Sequence, residues 1–529
     1  DAYDLFCIAP VMKMIGRVYY PPPPDGEKPG VVPTAVFSAV LAIVLVGTVV
    51  GQLVFGWLGD KIGRRPVYGV SLLLMVSGSV GCGFSVCKTR ACVLTSLCFF
   101  RFLLGVGIGG DYPVSATIMS EFANRRTRGA FIAAVFSMQG FGILASSAVT
   151  MAVTAAFDRG ADKSCNAKSH PPDEADLVWR LILMAGAVPA GLTLYWRMMM
   201  PETARYTALV EHDVRKAATD MEAVLEGVDL QPGPEEAPVV PRPAPTDGLF
   251  SRRFLSRHGR DLFACAGAWF LVDVVFYSSN LFQSRIYSKW YPEPEKVTIY
   301  REAYNQAKFQ AIIAVASTIP GYWATVALID RVGRRAIQMT GFSLMAVFLF
   351  AVGASFDKYW SSHTEWWFIV LYALTFFFSN FGPNTTTFIL PAELFPARLR
   401  TTCHGVAGAW GKVGAIVGSV AFLWATQCRE GKSHKECPKV VGGPDLSPPT
   451  PAPDEPCTSG VKLMALVLAG VCVVGAAFTY LYTPETVGRS LEENEGGEGD
   501  DGWDARSDAS QRSTVPLQML SSSPNATRL

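Results

Sequence analysis

The chain has 529 residues, 50% of them hydrophobic and only 17% charged, with a formal net charge of +1 and a mean hydropathy of +0.25. Soluble globular chains carry about 25% charged residues, so this composition excludes an ordinary soluble domain, and the near-zero balance gives no electrostatic basis for binding nucleic acid. No Walker loop, HExxH, nucleophile elbow or metal-spaced Cys/His set occurs, so nothing suggests ATP hydrolysis or covalent catalysis, and no cofactor or metal is expected.

Apolar runs near twenty residues, each long enough to cross about 30 Å of hydrocarbon as a helix, then follow in order. The first, 1–18, opens on Asp1 in what reads as a helix interior, so the span is expected to lack its start; Asp1 and Asp4 share one helical face. Run 33–58 ends in Asp60-Lys-Ile-Gly-Arg64-Arg65, and 66–86 follows. Run 92–120 holds Arg101, a Gly105–Gly110 stretch and Gly109-Gly-Asp111-Tyr112-Pro113, and closes at Glu121. The GxGxxG match there has no preceding strand, and its small residues read as a close helix approach. Run 128–155 contributes Gln139, and 178–200 completes the first six.

A polar segment, 201–258, separates the halves; its proline run at 232–245 cannot form a helix and reads as linker. Run 259–285 places Trp269, Asp273 and Tyr277 four residues apart on one face, an aspartate amid aromatic rings that lipid would not tolerate. Run 306–329 ends in Asp330-Arg-Val-Gly-Arg334-Arg335, followed by 336–356 and by 364–391, which Phe381-Gly-Pro-Asn384 interrupts ahead of Glu393. Run 402–427 leads to a loop carrying Cys428, Cys437 and Cys457, a possible disulfide site, and 459–483 begins near Lys462. The tail, 484–529, is acidic and then Ser-rich, and is expected to be disordered.

The halves repeat. Asp60–Arg65 recurs as Asp330–Arg335 and Pro113 as Pro383, both at an offset of 270; Glu121 and Glu393 are 272 apart, Asp4 and Asp273 269. The expected fold is therefore an all-α membrane protein of twelve helices, with bundles over 1–200 and 259–483. Paired Gly/Pro interruptions at matching places point to the binding site. The dense Lys/Arg loops after runs two, four, eight and ten are expected to face the cytoplasm, with linker and tail on the same side.

The Asp60–Arg65 block, its repeat and Arg101-Phe-Leu-Leu-Gly105-Val-Gly107 resemble signatures of the major facilitator superfamily. Pro201-Glu-Thr-Ala-Arg205 and Pro484-Glu-Thr-Val-Gly-Arg489 are similar to its sugar porters. The run Gly109–Glu121 is similar, nearly residue for residue, to the signature of the proton-coupled inorganic phosphate symporters of plants and fungi, as are Asp1–Phe6, Trp269–Tyr277 and Ala392–Pro396. The resemblance implies that Tyr112, Gln139, Trp269, Asp273, Tyr277 and Asn384 surround phosphate, with Lys462 as a positive partner and Asp1, Asp4 and Asp111 handling protons. It implies phosphate, protons and the lipid bilayer as partners, arsenate as a mimic, and the plasma membrane as the location. Asp60, Arg64, Arg65, Arg101, Glu121, Asp330, Arg334, Arg335 and Glu393 are expected to gate the cytoplasmic side through salt bridges, the alternative being arginines that only set topology. A sugar or organic-solute porter and a nutrient receptor remain open beside the phosphate reading.

Overall fold

The structure, a computed structural model, describes residues 1–20, 30, 32–160, 174–211, 213, 215–217, 248–290, 298–360, 366–426 and 458–491. The proline run, the Cys428–Cys457 loop and the tail from 492 lie outside them.

All regular structure among the described residues is helical. The first half comprises α1 (Ala2–Phe6), α2 (Ile8–Tyr19), α3 (Thr34–Ile62), α4 (Arg64–Gly83), α5 (Arg90–Phe122), α6 (Arg128–Gly160), α7 (Glu174–Met184), α8 (Ala187–Met199) and a short α9 (Ala204–Leu209). The second comprises α10 (Arg252–Trp290), α11 (Ile299–Ile313), a π-turn at Ala314–Thr318, α12 (Ile319–Val332), α13 (Arg334–Trp360), α14 (Trp366–Asn380), α15 (Pro383–Leu394), α16 (Arg400–Ala425) and α17 (Thr458–Tyr482). Among the described residues, ten stretches are long and apolar enough to cross a membrane. The other two expected spans are the interrupted ones, α1/α2 and α14/α15, which brings the fold to twelve. Exposed Trp57, Leu73, Phe131, Trp323 and Phe350 face outward, as a hydrocarbon solvent requires.

The helices break where backbone chemistry demands it, and the two halves differ. Phe381–Gly382 separates α14 from α15, with Gly382 off the helical backbone at φ −145° and ψ −121°; glycine fits there because a Cβ would lie 2.5 Å from the Cα of Gly341. Pro383, which lacks an amide hydrogen, then starts α15 where none is needed. The matching interruption expected at Gly109–Pro113 does not occur. α5 runs unbroken through Pro113, since glycines at 109 and 110 let the preceding turn take up the proline ring.

The repeated loops confirm the internal symmetry. Gly63 (φ 99°) and Gly333 (φ 101°) make the turns from α3 to α4 and from α12 to α13, in a region that side-chain-bearing residues rarely adopt. Each is also walled in, by Glu202 and Glu485, whose Oε2 atoms would lie 2.5 Å from an added Cβ. Gly63→Ala is expected to lower stability by roughly 1–3 kcal/mol, seen as a lower thermal midpoint in detergent; an unchanged midpoint would contradict the required φ.

The halves meet along α3 against α16 and along α6 against α11 and α12. Glycines permit the first contact: a Cβ on Gly56 would meet the Thr401 carbonyl at 2.9 Å, and one on Gly405 would strike the Gln52 carbonyl.

Candidate functional site

The buried centre of the interface is built from both halves. Lys412, midway along α16, donates from Nζ to Asp273 Oδ2 at 2.9 Å and to the Tyr277 hydroxyl at 3.1 Å. Both charged side chains are almost wholly enclosed, 4% and 2% exposed. The amine lies 4.8 Å from the Tyr277 ring centre and 5.4 Å from that of Tyr112, which the first half supplies. Tyr112 packs edge-on against Phe136 and Phe388, themselves stacked at 4.4 Å, and Trp269 packs on Phe388 and His404. Beyond Phe136, the Tyr322 hydroxyl donates to Gln139 Oε1 at 2.7 Å and accepts from Asn384 Nδ2 at 2.8 Å. The result is one ion pair and a chain of neutral hydroxyls and amides, enclosed by rings. It can offer a small polar anion a cation, an acceptor and several donors.

Tyr112, Gln139, Trp269, Asp273, Tyr277 and Asn384 thus converge as the sequence suggests, but Lys462 does not supply the cation. It is half-buried near the start of α17, and the amine on Asp273 is that of Lys412. Lys412 is the only Asp, Glu, Lys or Arg between Arg400 and Arg429, so an isolated charge in an apolar run is its sequence signal. Tyr322 carries no such signal; only the fold aims its hydroxyl at Gln139.

The other carboxylates are dispersed. Asp4 is buried and accepts from Ser79 Oγ at 2.9 Å. Arg101 lies within electrostatic reach of it. Arg101 is therefore not part of a salt-bridge network on the basic face: it is buried in the first half, its Nε donating to the Val40 carbonyl at 3.1 Å. Asp111 is in an ion pair with Arg197 of α8 at 2.8 Å. Asp1 precedes α1 without a side-chain capping bond.

On the face carrying the basic loops, the repeat becomes a two-fold network across the interface. Asp60 of the first half accepts from the backbone amides of Thr401 (3.2 Å) and Thr402 (2.7 Å), in the first turn of α16. Asp330 of the second half accepts from Gly129 (3.1 Å) and Ala130 (2.8 Å), in the first turn of α6. Each carboxylate therefore meets orphan amides and the positive end of a helix belonging to the other half. Arg64 contacts Asp60 (3.4 Å) and Glu121 (3.3 Å), and Glu121 also takes Arg400 across the interface at 2.9 Å. Arg334 contacts Asp330 (2.9 Å) and Glu393 (2.7 Å), and Glu393 takes Arg128 across the interface at 3.1 Å. The two Pro-Glu-Thr motifs match as well: Thr203 donates to Glu121 and Thr486 to Glu393, at 2.5 and 2.6 Å. Arg65 and Arg335 serve differently from the expectation. Their guanidinium groups bond the Met198 and Tyr480 carbonyls inside their own halves, so they brace each bundle rather than join the two.

The profile of the "Sugar (and other) transporter" family matches residues 1–496. Over 502 residues the chain is 61% identical to a probable inorganic phosphate transporter 1-10 of Oryza sativa subsp. japonica, covering 94% of this chain and 87% of that one. It is 56% identical over 507 residues to a probable inorganic phosphate transporter 1-9 of Arabidopsis thaliana (94% and 90% covered), and 49% identical to low affinity inorganic phosphate transporter 3 of Petunia hybrida (98% and 94%). The fold matches a proton:xylose symporter bound to 6-bromo-6-deoxy-D-glucose with a TM-score of 0.64 at 17% identity, covering 93% and 95% of the two chains. Repeat, fold and relatives agree: the chain belongs to the sugar (and other) transporter family of the major facilitator superfamily, in the branch that holds these plant inorganic phosphate transporters.

Proposed function

We propose that the chain imports inorganic phosphate together with protons, by alternating access of the central site to the two faces of the plasma membrane. The observation that carries the reading is the Asp273–Lys412 pair buried between the halves. Dihydrogen phosphate matches both members: its bare oxygens take the amine, and its own hydroxyl donates to the carboxylate in a charge-assisted bond. Tyr112, Tyr277, Trp269, Gln139 and Asn384 supply neutral contacts, with Tyr322 positioning the two amides. Sulfate has no hydroxyl to donate at neutral pH and would set a bare anion against Asp273, whereas arsenate keeps the donor and should enter. The names of the relatives, inorganic phosphate transporters, support phosphate over a sugar.

Asp1, Asp4 and Asp111 are the proton-handling candidates. Binding a proton and binding an anion favour each other electrostatically, which is a coupling free energy between two ligands. Asp111 can serve only in a conformation that parts it from Arg197.

The basic face is cytoplasmic in this reading, with the 201–258 segment and the tail beside it. A disulfide joins Cys87 to Cys92 in the turn between α4 and α5, on the opposite face, as an oxidising exterior favours. The interface networks at Asp60/Glu121 and Asp330/Glu393 then form the cytoplasmic gate, here closed.

The test is uptake of labelled phosphate by the purified chain in liposomes. Arsenate is expected to compete and sulfate and glucose to leave uptake unchanged; inhibition by glucose would overturn the reading in favour of a sugar porter. In Asp273→Asn, phosphate uptake is expected to fall at least about tenfold, a loss of some 1.4 kcal/mol or more in transition-state binding, as read from kcat/KM. Unchanged uptake and unchanged discrimination against sulfate would remove Asp273 from the site.

A further inference from the structure

Between the gate at Asp60 and the central ion pair stands a polar side chain that neither employs. Gln52, on α3, is wholly enclosed, and among the described residues neither its amide nitrogen nor its amide oxygen has a hydrogen-bond partner. Gln283 and Gln306, also buried, each leave a single atom unmatched. An amide sealed away with both ends unmatched forfeits the bonds it makes in water, so the closed state alone gives it no use. A methionine would fill the same space without that loss.

Its surroundings come from the other half. The amide lies against Gly408 of α16, where an added Cβ would come within 2.7 Å of Nε2 and 3.4 Å of Oε1, and the Gln52 carbonyl lies against Gly405. Gly408 is one helical turn, about 6 Å, from Lys412, on the side toward Thr401 and Thr402, whose amides hold Asp60. Along α3, Gln52 is two turns deeper than Asp60. When Asp60 lets go of α16, the two helices part from that end first. The Gln52 amide is then bared on the wall of the opening, one turn short of Lys412.

We propose that Gln52 binds phosphate in the inward-facing state, as the step between Lys412 and the cytoplasm. The inference rests on the phosphate reading above. The amide reproduces the central pair without its charge: Nε2 donates to a bare oxygen, as Lys412 does, and Oε1 accepts from the phosphate hydroxyl, as Asp273 does. Neutral hydrogen bonds are about half as strong as charge-assisted ones, so the anion passes from a firm site to a weaker one on its way out. Closing the gate without phosphate strips the amide of its partners, which leaves it as it stands in this structure.

The experiment compares Gln52→Met with the unsubstituted chain in liposomes, reading the half-saturation of phosphate exchange from each face separately. The cytoplasmic-face value is expected to rise roughly tenfold, the worth of one or two hydrogen bonds, and the outer-face value by less than about twofold. The thermal midpoint without phosphate should rise, because the unmatched donor and acceptor are gone. Equal shifts at both faces would overturn the inference by placing the effect at the shared central site. No shift at either face would overturn it as well, whatever the midpoint does, since an amide that only packs behaves so. Should Gln52→Met fail to reconstitute, Gln52→Cys in the Glu121→Gln background decides in detergent. A charged thiol reagent is expected to label it above the level of the Glu121→Gln chain, with inorganic phosphate slowing the labelling; labelling that phosphate does not slow overturns the proposal. An unsubstituted chain that exchanges no phosphate fails the functional reading itself, whereas exchange that ignores Gln52 removes only the exit step.

Discussion

Replacing Lys412 by methionine is expected to abolish phosphate uptake and to destabilise the protein by about 3–5 kcal/mol, the typical cost of leaving one partner of a buried ion pair uncompensated. The geometry gives both effects one origin. Nζ is 2.9 Å from Asp273 and 3.1 Å from the Tyr277 hydroxyl, in a site with almost no access to water, so Asp273 loses the cation that pairs with it. The two effects separate in the double variant Lys412→Met/Asp273→Asn. With both charges gone no buried charge is unpaired, so the thermal midpoint should return most of the way to that of the unsubstituted chain. Uptake should not return, because the anion then has neither cation nor charged acceptor. Midpoints by differential scanning fluorimetry and uptake in liposomes read the two quantities independently. A double variant that transports would show that the pair is structural and that the substrate binds elsewhere.

Removing Glu121 should release the cytoplasmic face. Its carboxylate is the shared anion of Arg64 and Arg400, at 3.3 and 2.9 Å, and of the Thr203 hydroxyl. Of these contacts the one to Arg400 joins the halves, and it holds only while that face is closed. Glu121→Gln leaves two buried guanidinium groups without their common partner, and a bias of even about 2.7 kcal/mol toward the open state changes the closed-to-open ratio about 100-fold. Spin labels on cysteines placed at exposed Lys61 and Arg331, one per half, should give a longer and broader distance distribution in the Glu121→Gln background, with a lower kcat. The symmetric change Glu393→Gln should act in the same direction, since Arg128 crosses the interface to it at 3.1 Å. Identical distributions in all three proteins would mean that the arginines only set topology.

Much of the architecture is written in local sequence. Spans follow from apolar length, and the repeat follows from the recurring Asp-x-x-Gly-Arg-Arg block, whose glycine is fixed by a positive φ at both copies. The paired aspartates at 60 and 330 are visible as a motif, yet the motif does not reveal that each reaches the first turn of a helix in the opposite half. That contact joins residues some 341 and 201 positions apart and is set only by how the bundles dock. The same holds for Asp111, whose partner Arg197 is 86 residues away. Pro113 misleads in the opposite direction: sequence marks a break, but the backbone carries the helix through it, while the break at Gly382 falls where the close passage of Gly341 leaves room only for glycine. Lys412 is a different case. Its isolation in an apolar run is as legible as that of Asp273, and Lys462, near the start of its own run, draws attention instead; depth within a span, rather than charge alone, separates the two.

In the proposed mechanism phosphate and protons move together through the Asp273–Lys412 site. Its most direct test is uptake of labelled phosphate by the reconstituted chain, with and without an inward proton gradient, while the internal pH of the liposomes is followed. Accumulation above equilibrium is expected only when the gradient is present, with acidification of the interior on adding phosphate and loss of both in Asp273→Asn. Uptake that merely equilibrates, equal with and without the gradient and with no proton entry, would contradict it.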